Sequence, residues 1–277
     1  MTVLQAIFLG FIQGLTEFLP VSSSGHLVLV QKILGISVPT LFFDIVLHCG
    51  TLLAVLVALR TDVWNLLRRP FQRMTALLVL ATAVTAGVAF AFKDRIEEAF
   101  ASGAWLGQAF LITALALFVS DYISKRPGRL RNDAEIDAFD AVIIGLLQGI
   151  AIAPGISRSG FTLSGALGRR LERDLAARFS FLLAIPAILG ALVLQIRELY
   201  KINHFQSVNP DAATDFLSGI SPLALLAGTL TAALVGFAAV MLVLNIIRKR
   251  SLVGFGIYTA LLGIFILLDQ SLFHIVF

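Results

Sequence analysis

Gly10-Phe11-Ile12-Gln13-Gly14-Leu15-Thr16-Glu17-Phe18-Leu19-Pro20-Val21-Ser22-Ser23-Ser24-Gly25-His26 is the stretch on which the reading of this chain turns. It sets an amide, a carboxylate, three consecutive hydroxyls and an imidazole among Phe, Leu, Ile and Val. A second stretch, Gly145-Leu146-Leu147-Gln148-Gly149-Ile150-Ala151-Ile152-Ala153-Pro154-Gly155-Ile156-Ser157-Arg158-Ser159-Gly160, copies its spacing. Gly10/Gly145, Gln13/Gln148, Gly14/Gly149, Ser22/Ser157, Ser24/Ser159 and Gly25/Gly160 keep one offset, while Pro20 and Pro154 miss it by one residue. Such groups are costly in lipid, so two related clusters of them predict one composite site at the centre of a membrane protein.

The surroundings are membrane-like. Hydrophobic residues make up 58% of the chain, charged residues 14%, and the mean hydropathy is +0.93. A soluble domain carries about 25% charged residues. The long apolar runs predict a polytopic helical protein, and the alternating segments of a membrane barrel are missing. The N-terminus lacks a basic region and a small-residue cleavage pattern, so it is not expected to be a signal peptide. The net charge of +4 reads as loop topology, with no nucleic-acid partner expected. The single cysteine, Cys49, rules out an intrachain disulfide and reads as a small buried apolar residue.

Six runs, near 41–59, 75–92, 105–123, 179–196, 222–247 and 252–273, are long enough to cross a core of about 30 Å. Four shorter segments, 3–19, 26–35, 138–153 and 161–171, flank the two polar stretches. Each short pair, joined by a Pro/Gly/Ser turn, reads as a re-entrant hairpin whose irregular backbone must be buried in protein. With the N-terminus outside and each hairpin returning to its own side, fifteen of the 21 Lys and Arg fall inside and five outside, and Arg158 lies at membrane depth. Each half has one hairpin and three spans, an odd number, so the second half is inserted upside down. The expected fold is therefore an all-α polytopic membrane protein with an inverted-topology repeat: six transmembrane helices plus two re-entrant helical hairpins. It forms a single integral membrane domain, 1–277, of repeats 1–135 and 136–277. The longest outer loop, about 197–221, is expected to be a surface cap.

The polar residues suggest chemistry. Gln13 and Glu17 share a helix face, where a carboxylate and an amide oxygen can hold a divalent cation; the alternative is a neutral, structural Glu17. Ser22, Ser23, Ser24, Gly25 and His26 form the first hairpin tip. Hydroxyls and backbone N–H groups at a helix start bind anions, and a serine near an imidazole can become a nucleophile; simple helix capping is the alternative. Arg158, flanked by Ser157 and Ser159 with Thr162 one turn on, offers a guanidinium fork to phosphate, or pairs with Glu17 as a buried lock between the halves. His48 could be a polar interhelical contact, and no role is assigned to it, His204 or His274. Asp44 reads as interfacial. Gly50, Gly87, Gly190, Gly228 and Gly263 are expected to allow close helix packing.

These motifs, with Phe179-Ser180-Phe181-Leu182-Leu183-Ala184-Ile185-Pro186, make the chain resemble the undecaprenyl-diphosphate phosphatases of the bacitracin-resistance family over essentially its full length. The resemblance implies a membrane-embedded hydrolase that converts undecaprenyl diphosphate to undecaprenyl phosphate and phosphate, recycling the lipid carrier for envelope synthesis. It implies a divalent cation, Mg2+ or Ca2+, a polyprenyl diphosphate lipid as partner, and a multi-pass place in the bacterial inner membrane; the entry of the Glu17 hairpin from outside points to an outward-facing site, with alternating access left open. A homodimer is compatible with this reading. The family's acidic motif maps onto Gln13 and Glu17; many members carry Glu where Gln13 stands, which leaves Glu17 as the main acid. Its serine–histidine segment maps onto Ser22, Ser23 and His26, and its arginine onto Arg158. The expected roles are Ser23 as nucleophile, His26 as base and then acid, Glu17 on the metal or orienting His26, and Arg158 on the diphosphate. A rival scheme has water as nucleophile. Two other classes stay open: a lipid-carrier transporter or flippase using the same inverted-repeat site, and a metal-independent phosphatase with a histidine nucleophile. The latter lacks its Lys-x6-Arg-Pro motif here.

Overall fold

A computed structural model describes residues 1–36, 41–92, 105–208 and 220–276. Its elements are helices: α1 (Val3–Phe18), α2 (Ser23–Ile33), α3 (Leu41–Ala58), α4 (Arg60–Arg68), α5 (Arg73–Ala91), α6 (Leu106–Ser124), α7 (Ala138–Ile150), α8 (Arg158–Gly168), α9 (Arg173–Val208), α10 (Pro222–Lys249) and α11 (Val253–Leu268), followed by a π-helical turn, Asp269–Phe273. Among the described residues extended pairing is limited to one isolated bridge between Arg131 and Leu171. Five helices are long and apolar enough to cross a membrane, and six if α3 and α4 count as one span bent by 79°. The chain is a multi-pass α-helical membrane protein.

The helix starts follow from local sequence. Thr2 and Gln5 close a capping box on α1, and Asp137 and Asp140 close one on α7. Ser22 caps α2, Ser157 caps α8, and Ser221 caps α10 with Pro222 in its first turn. The structure differs from the hydropathy reading at four places. The short helices after the polar turns begin at Ser23 and Arg158, because the serine caps start them earlier than the first apolar residue does. The expected outer loop is helical through Val208, since no Gly or Pro interrupts the chain between Gly190 and Pro210. The remainder of that loop, 209–219, lies outside the described residues, as do Lys93 and Arg95. Arg60–Arg68, counted as loop, is the short amphipathic helix α4.

Small residues let the backbones meet. A Cβ on Gly14 would lie 2.7 Å from the Ala232 carbonyl oxygen of α10, and one on Gly50 would lie 2.6 Å from that of Thr229. Gly10 abuts the backbone of Gly228 in the same seam. The second polar helix does likewise against α5: a Cβ on Gly145 would lie 2.5 Å from the Ala81 carbonyl oxygen, and Gly149 faces Val88. Gly263 meets Gly107 between α6 and α11. The expectation for Gly87 and Gly190 is corrected, because both face open space, and Cys49 is exposed rather than buried. Four of the tightest glycines therefore belong to the polar helices themselves; Gly10, Gly14 and Gly145 meet backbone of the long spans, and Gly149 the Val88 side chain.

Buried carboxylates gather at the basic end of the bundle. Asp121, 2% exposed, accepts from Ser251 Oγ at 2.9 Å and the Leu252 N–H at 3.1 Å, and pairs with Lys125 at 2.6 Å. Asp140, fully buried, is gripped by Arg131 at 2.9 Å and Arg169 at 2.7 Å. These pairs join α6, α7, α8 and the α10–α11 turn at one end.

Candidate active site

The two polar turns meet. Arg158, the first residue of α8, donates from Nη2 to Glu17 Oε1 at 2.5 Å, across the two halves of the sequence. Ser159 Oγ donates to the Leu19 carbonyl at 2.7 Å, and the Gly155 N–H donates to Ser24 Oγ at 3.3 Å. Gly155 adopts φ +84, a left-handed conformation that suits glycine, and this lets the second turn approach Leu106 and Ala109 of α6. The turns are also built alike. Ser22 Oγ accepts from the Gly25 N–H at 3.3 Å, and Ser157 Oγ accepts from the Gly160 N–H at 3.0 Å. Two helix N-termini, with their free N–H groups and positive dipole ends, thus lie beside one carboxylate.

Glu17 is the hub. Only 6% of its surface is exposed. Its Oε2 accepts from Gln13 Nε2 at 3.0 Å and from Ser23 Oγ at 2.5 Å, and His48 Nε2 stands 4.0 Å away. The buried carboxylate is thus met by a guanidinium, a hydroxyl and an amide, three donors that satisfy its oxygens. The buried ion pair with Arg158 is therefore present, and Ser23 lies within direct reach of a base. Two atoms in the cluster have no hydrogen-bond partner although they are buried: Arg158 Nη1, a donor, and Gln13 Oε1, an acceptor. An unmet donor suits an incoming oxyanion, and an unmet carbonyl oxygen suits a cation.

His26 sits differently from expectation. Its Nδ1 is 2.6 Å from the Ser22 carbonyl and its Nε2 is 2.7 Å from Tyr258 Oη, so both ring nitrogens are engaged by partners other than the Ser23 hydroxyl. The group in contact with the Ser23 hydroxyl is Glu17. Ser22 holds φ +70, an uncommon conformation for a residue with a side chain; such strain costs of order 1–3 kcal/mol and persists only where surrounding bonds enforce it. Thr162 does not join the site: its hydroxyl returns to the Arg158 carbonyl and meets Ser180 Oγ at 2.5 Å. The Phe179–Pro186 motif thus touches a polar helix of each hairpin, Ser180 meeting Thr162 of α8 and Phe181 packing edge-on against Phe18 of α1, centroids 5.6 Å apart.

Tyr258 and Thr113, whose hydroxyl accepts from the Ser157 N–H at 3.0 Å, escaped the sequence reading; Ser180 stood there only within a motif, and His48, read as a possible polar interhelical contact, faces Glu17 of α1. His48 carried a faint signal, lying one turn after Asp44 on α3, and its Nδ1 is 2.7 Å from the Asp44 carbonyl. Tyr258 carried none.

A divalent cation finds a modest donor set here. Among the described residues no three His, Cys, Asp or Glu side chains converge. Glu17 and the unpartnered Gln13 Oε1 fit Mg2+, which is commonly held by one or two carboxylates with phosphate oxygens and water completing its shell.

Fold and centre together define a class: a multi-pass helical membrane protein with a buried polar site, suited to an oxyanion, shared by two helix-turn-helix hairpins. The chain belongs to the bacitracin-resistance family, whose model, described as "Bacitracin resistance protein BacA", matches residues 6–265. It is 44% identical to a protein named undecaprenyl-diphosphatase of Carboxydothermus hydrogenoformans, over 98% of each chain. It is 39% identical to undecaprenyl-diphosphatase 3 of Bacillus cereus over 98% of each. A further undecaprenyl-diphosphatase, of Halothermothrix orenii, is 37% identical over 99% of this chain and 100% of its own.

Proposed function

We propose that this protein hydrolyses undecaprenyl diphosphate to undecaprenyl phosphate and inorganic phosphate within the membrane. The observation that carries the reading is the contact of Glu17 with both Ser23 Oγ and Arg158, which joins a base, a hydroxyl and an anion-binding fork at one point. Full-length similarity to proteins named for this activity supports it. The transporter alternative draws no such support.

In this reading Arg158 turns its free Nη1 to the diphosphate, and the N–H groups at the starts of α2 and α8 take further oxygens. Glu17 Oε2 accepts the Ser23 proton as Oγ attacks the terminal phosphorus, and the bond to the bridging oxygen breaks, releasing the lipid monophosphate. Glu17 passes that proton to the departing lipid monophosphate, then takes one from the water that attacks the phosphoserine, and returns it to Ser23 Oγ as the P–Oγ bond breaks and inorganic phosphate leaves. Glu17 takes the base role expected of His26, because Glu17 is the group that touches Ser23. Ser22, Ser24, Gly25, Ser157 and Ser159 shape the oxyanion pocket. Mg2+ or Ca2+, held by Glu17 and Gln13, would supply charge neutralisation on the phosphate oxygens.

We further infer an inverted repeat of 1–135 and 136–277 with re-entrant hairpins, in the inner membrane with the site toward the outer face. Its support is reciprocal: α1 seats its glycines on α10, α7 seats the matching glycines on α5, and Ser22 and Ser157 make the same cap. The same offset pairs Ser23 with Arg158, so each repeat contributes the first residue of its short helix to Glu17.

The test is phosphate release from undecaprenyl diphosphate by the purified protein in detergent, with Mg2+ or Ca2+ and then with excess chelator. Cation-dependent release is expected. No release from protein shown to be folded would overturn the reading, and chelator-resistant release would overturn its cation.

A further inference from the structure

We propose that Tyr258 is a positioning residue of the site, holding His26 as a neutral imidazole with its single acceptor nitrogen directed along a hydrogen bond toward the protein surface. The tautomer follows from the partners. Nδ1 lies 2.6 Å from a backbone carbonyl, which can only accept, so Nδ1 carries the proton. Nε2 of the neutral ring is then an acceptor, and the Tyr258 hydroxyl, 2.7 Å away, donates to it.

Packing holds the same orientation. The Tyr258 ring stacks on the imidazole with centroids 5.7 Å apart and planes 11° from parallel, and Phe110 meets it edge-on at 5.4 Å. Phe110 can come this close because Gly25 has no side chain: a Cβ there would lie 2.6 Å from the Phe110 ring. His26 is 6% exposed, whereas Tyr258, on α11 near the far end of the sequence, is 47% exposed. The tyrosine hydroxyl thus stands between a buried imidazole and the surface of the bundle. His26 belongs to the helix whose first residue is Ser23, so fixing the ring also fixes the start of that helix.

The spectroscopic part of the proposal stands on geometry alone; the kinetic part rests on the phosphatase reading. The experiment uses the full chain in detergent and the variant Tyr258→Phe, which keeps the stacked ring and removes the hydroxyl, with Tyr122→Phe on α6 as the control. Ring 15N resonances of His26 are expected to show a protonated Nδ1 and a hydrogen-bonded, unprotonated Nε2 in the unaltered chain. In Tyr258→Phe, Nε2 is expected to move to the position of a free lone pair. With undecaprenyl diphosphate, kcat is expected to fall about three- to tenfold, the worth of one lost neutral hydrogen bond, with KM unchanged. Tyr122→Phe changes neither readout. An Nε2–H tautomer in the unaltered chain, or an unmoved Nε2 resonance in Tyr258→Phe, overturns the proposal. Moved resonances with unchanged kcat overturn its role in turnover. If the unaltered chain releases no phosphate, the phosphatase reading fails while the resonances still decide the positioning.

Discussion

At the scale of single residues, Glu17, Ser23 and Arg158 do three different jobs within one contact. Ser23→Ala removes the proposed nucleophile and is expected to abolish turnover while leaving the fold intact, since Ser22 rather than Ser23 caps α2. Substantial phosphate release by that variant would return the reaction to a water nucleophile. Arg158→Lys keeps the charge and loses the fork. With hydrogen bonds to charged groups worth about 1.5–3 kcal/mol, kcat/KM is expected to fall roughly 10- to 100-fold. A variant within twofold of the unaltered chain would show that Arg158 only locks the two turns together. The pairing of Arg158 with Glu17 was legible in the sequence, because the shared register placed both in polar turns of one composite centre. Tyr258 was not legible, because nothing in α11 indicates that the helix passes beside the turns; His48 was legible as a polar interhelical contact but not as a neighbour of Glu17.

At the scale of elements, glycine spacing and helix caps set how the polar helices sit. Gly10→Ala pushes a methyl into the backbone of Gly228, and overpacking of this kind costs about 1–3 kcal/mol. Gly87→Ala meets nothing within 4 Å and is expected to be neutral or to stabilise by up to about 1 kcal/mol through helix propensity. Thermal melts of the two variants should shift in opposite directions or by clearly different amounts; equal shifts would contradict the packing account. The cap of α7 adds a pH dependence. Asp137 accepts the Asp140 N–H at 2.9 Å and pairs with Arg131 at 2.8 Å, and these contacts hold its carboxyl below the usual carboxylate range. A lowered folded pKa means that this stabilisation is complete above the unfolded value of about 3.9 and is lost as pH falls through the folded value. Asp137→Asn is expected to melt lower than the unaltered chain near neutrality, with the difference shrinking in acid; a difference that grows in acid would contradict the assignment. Sequence located the helices well and their ends poorly. Hydropathy starts a helix at its first apolar residue, whereas hydrogen bonding starts it at the cap, which is how Ser23 and Arg158 became first-turn residues.

At the scale of the whole molecule, the basic end is a second place, besides the polar centre, where the two halves are tied. Asp121 joins the end of α6 to the turn before α11 and, at 3.5 Å, to Arg173 at the start of α9. Asp121→Ala leaves the Leu252 N–H without its acceptor and is expected to cost about 1–3 kcal/mol, read as a lowered melting temperature. An unchanged melt would mean that this end is held by other contacts. The charge asymmetry that organised the sequence reading is answered in the fold by carboxylates a topology count ignores: Asp121, Asp140 and Asp174, which pairs with Arg178 at 2.9 Å. All-helical, membrane-spanning character was legible throughout, because a bilayer core leaves a polar backbone few other solutions. The bend between α3 and α4 was not, because a run of charged residues reads equally as loop or as amphipathic helix.

The central claim is that Glu17, held between Ser23 and Arg158, is the base of a membrane diphosphate hydrolase. Phosphate release from undecaprenyl diphosphate by the unaltered chain and by Glu17→Gln, both confirmed folded by thermal melting, tests it most directly. The account predicts release by the former and a loss of about 10²–10⁴-fold in the latter, the usual contribution of a positioned general base. A Glu17→Gln protein that keeps turnover within tenfold of the unaltered chain would contradict it.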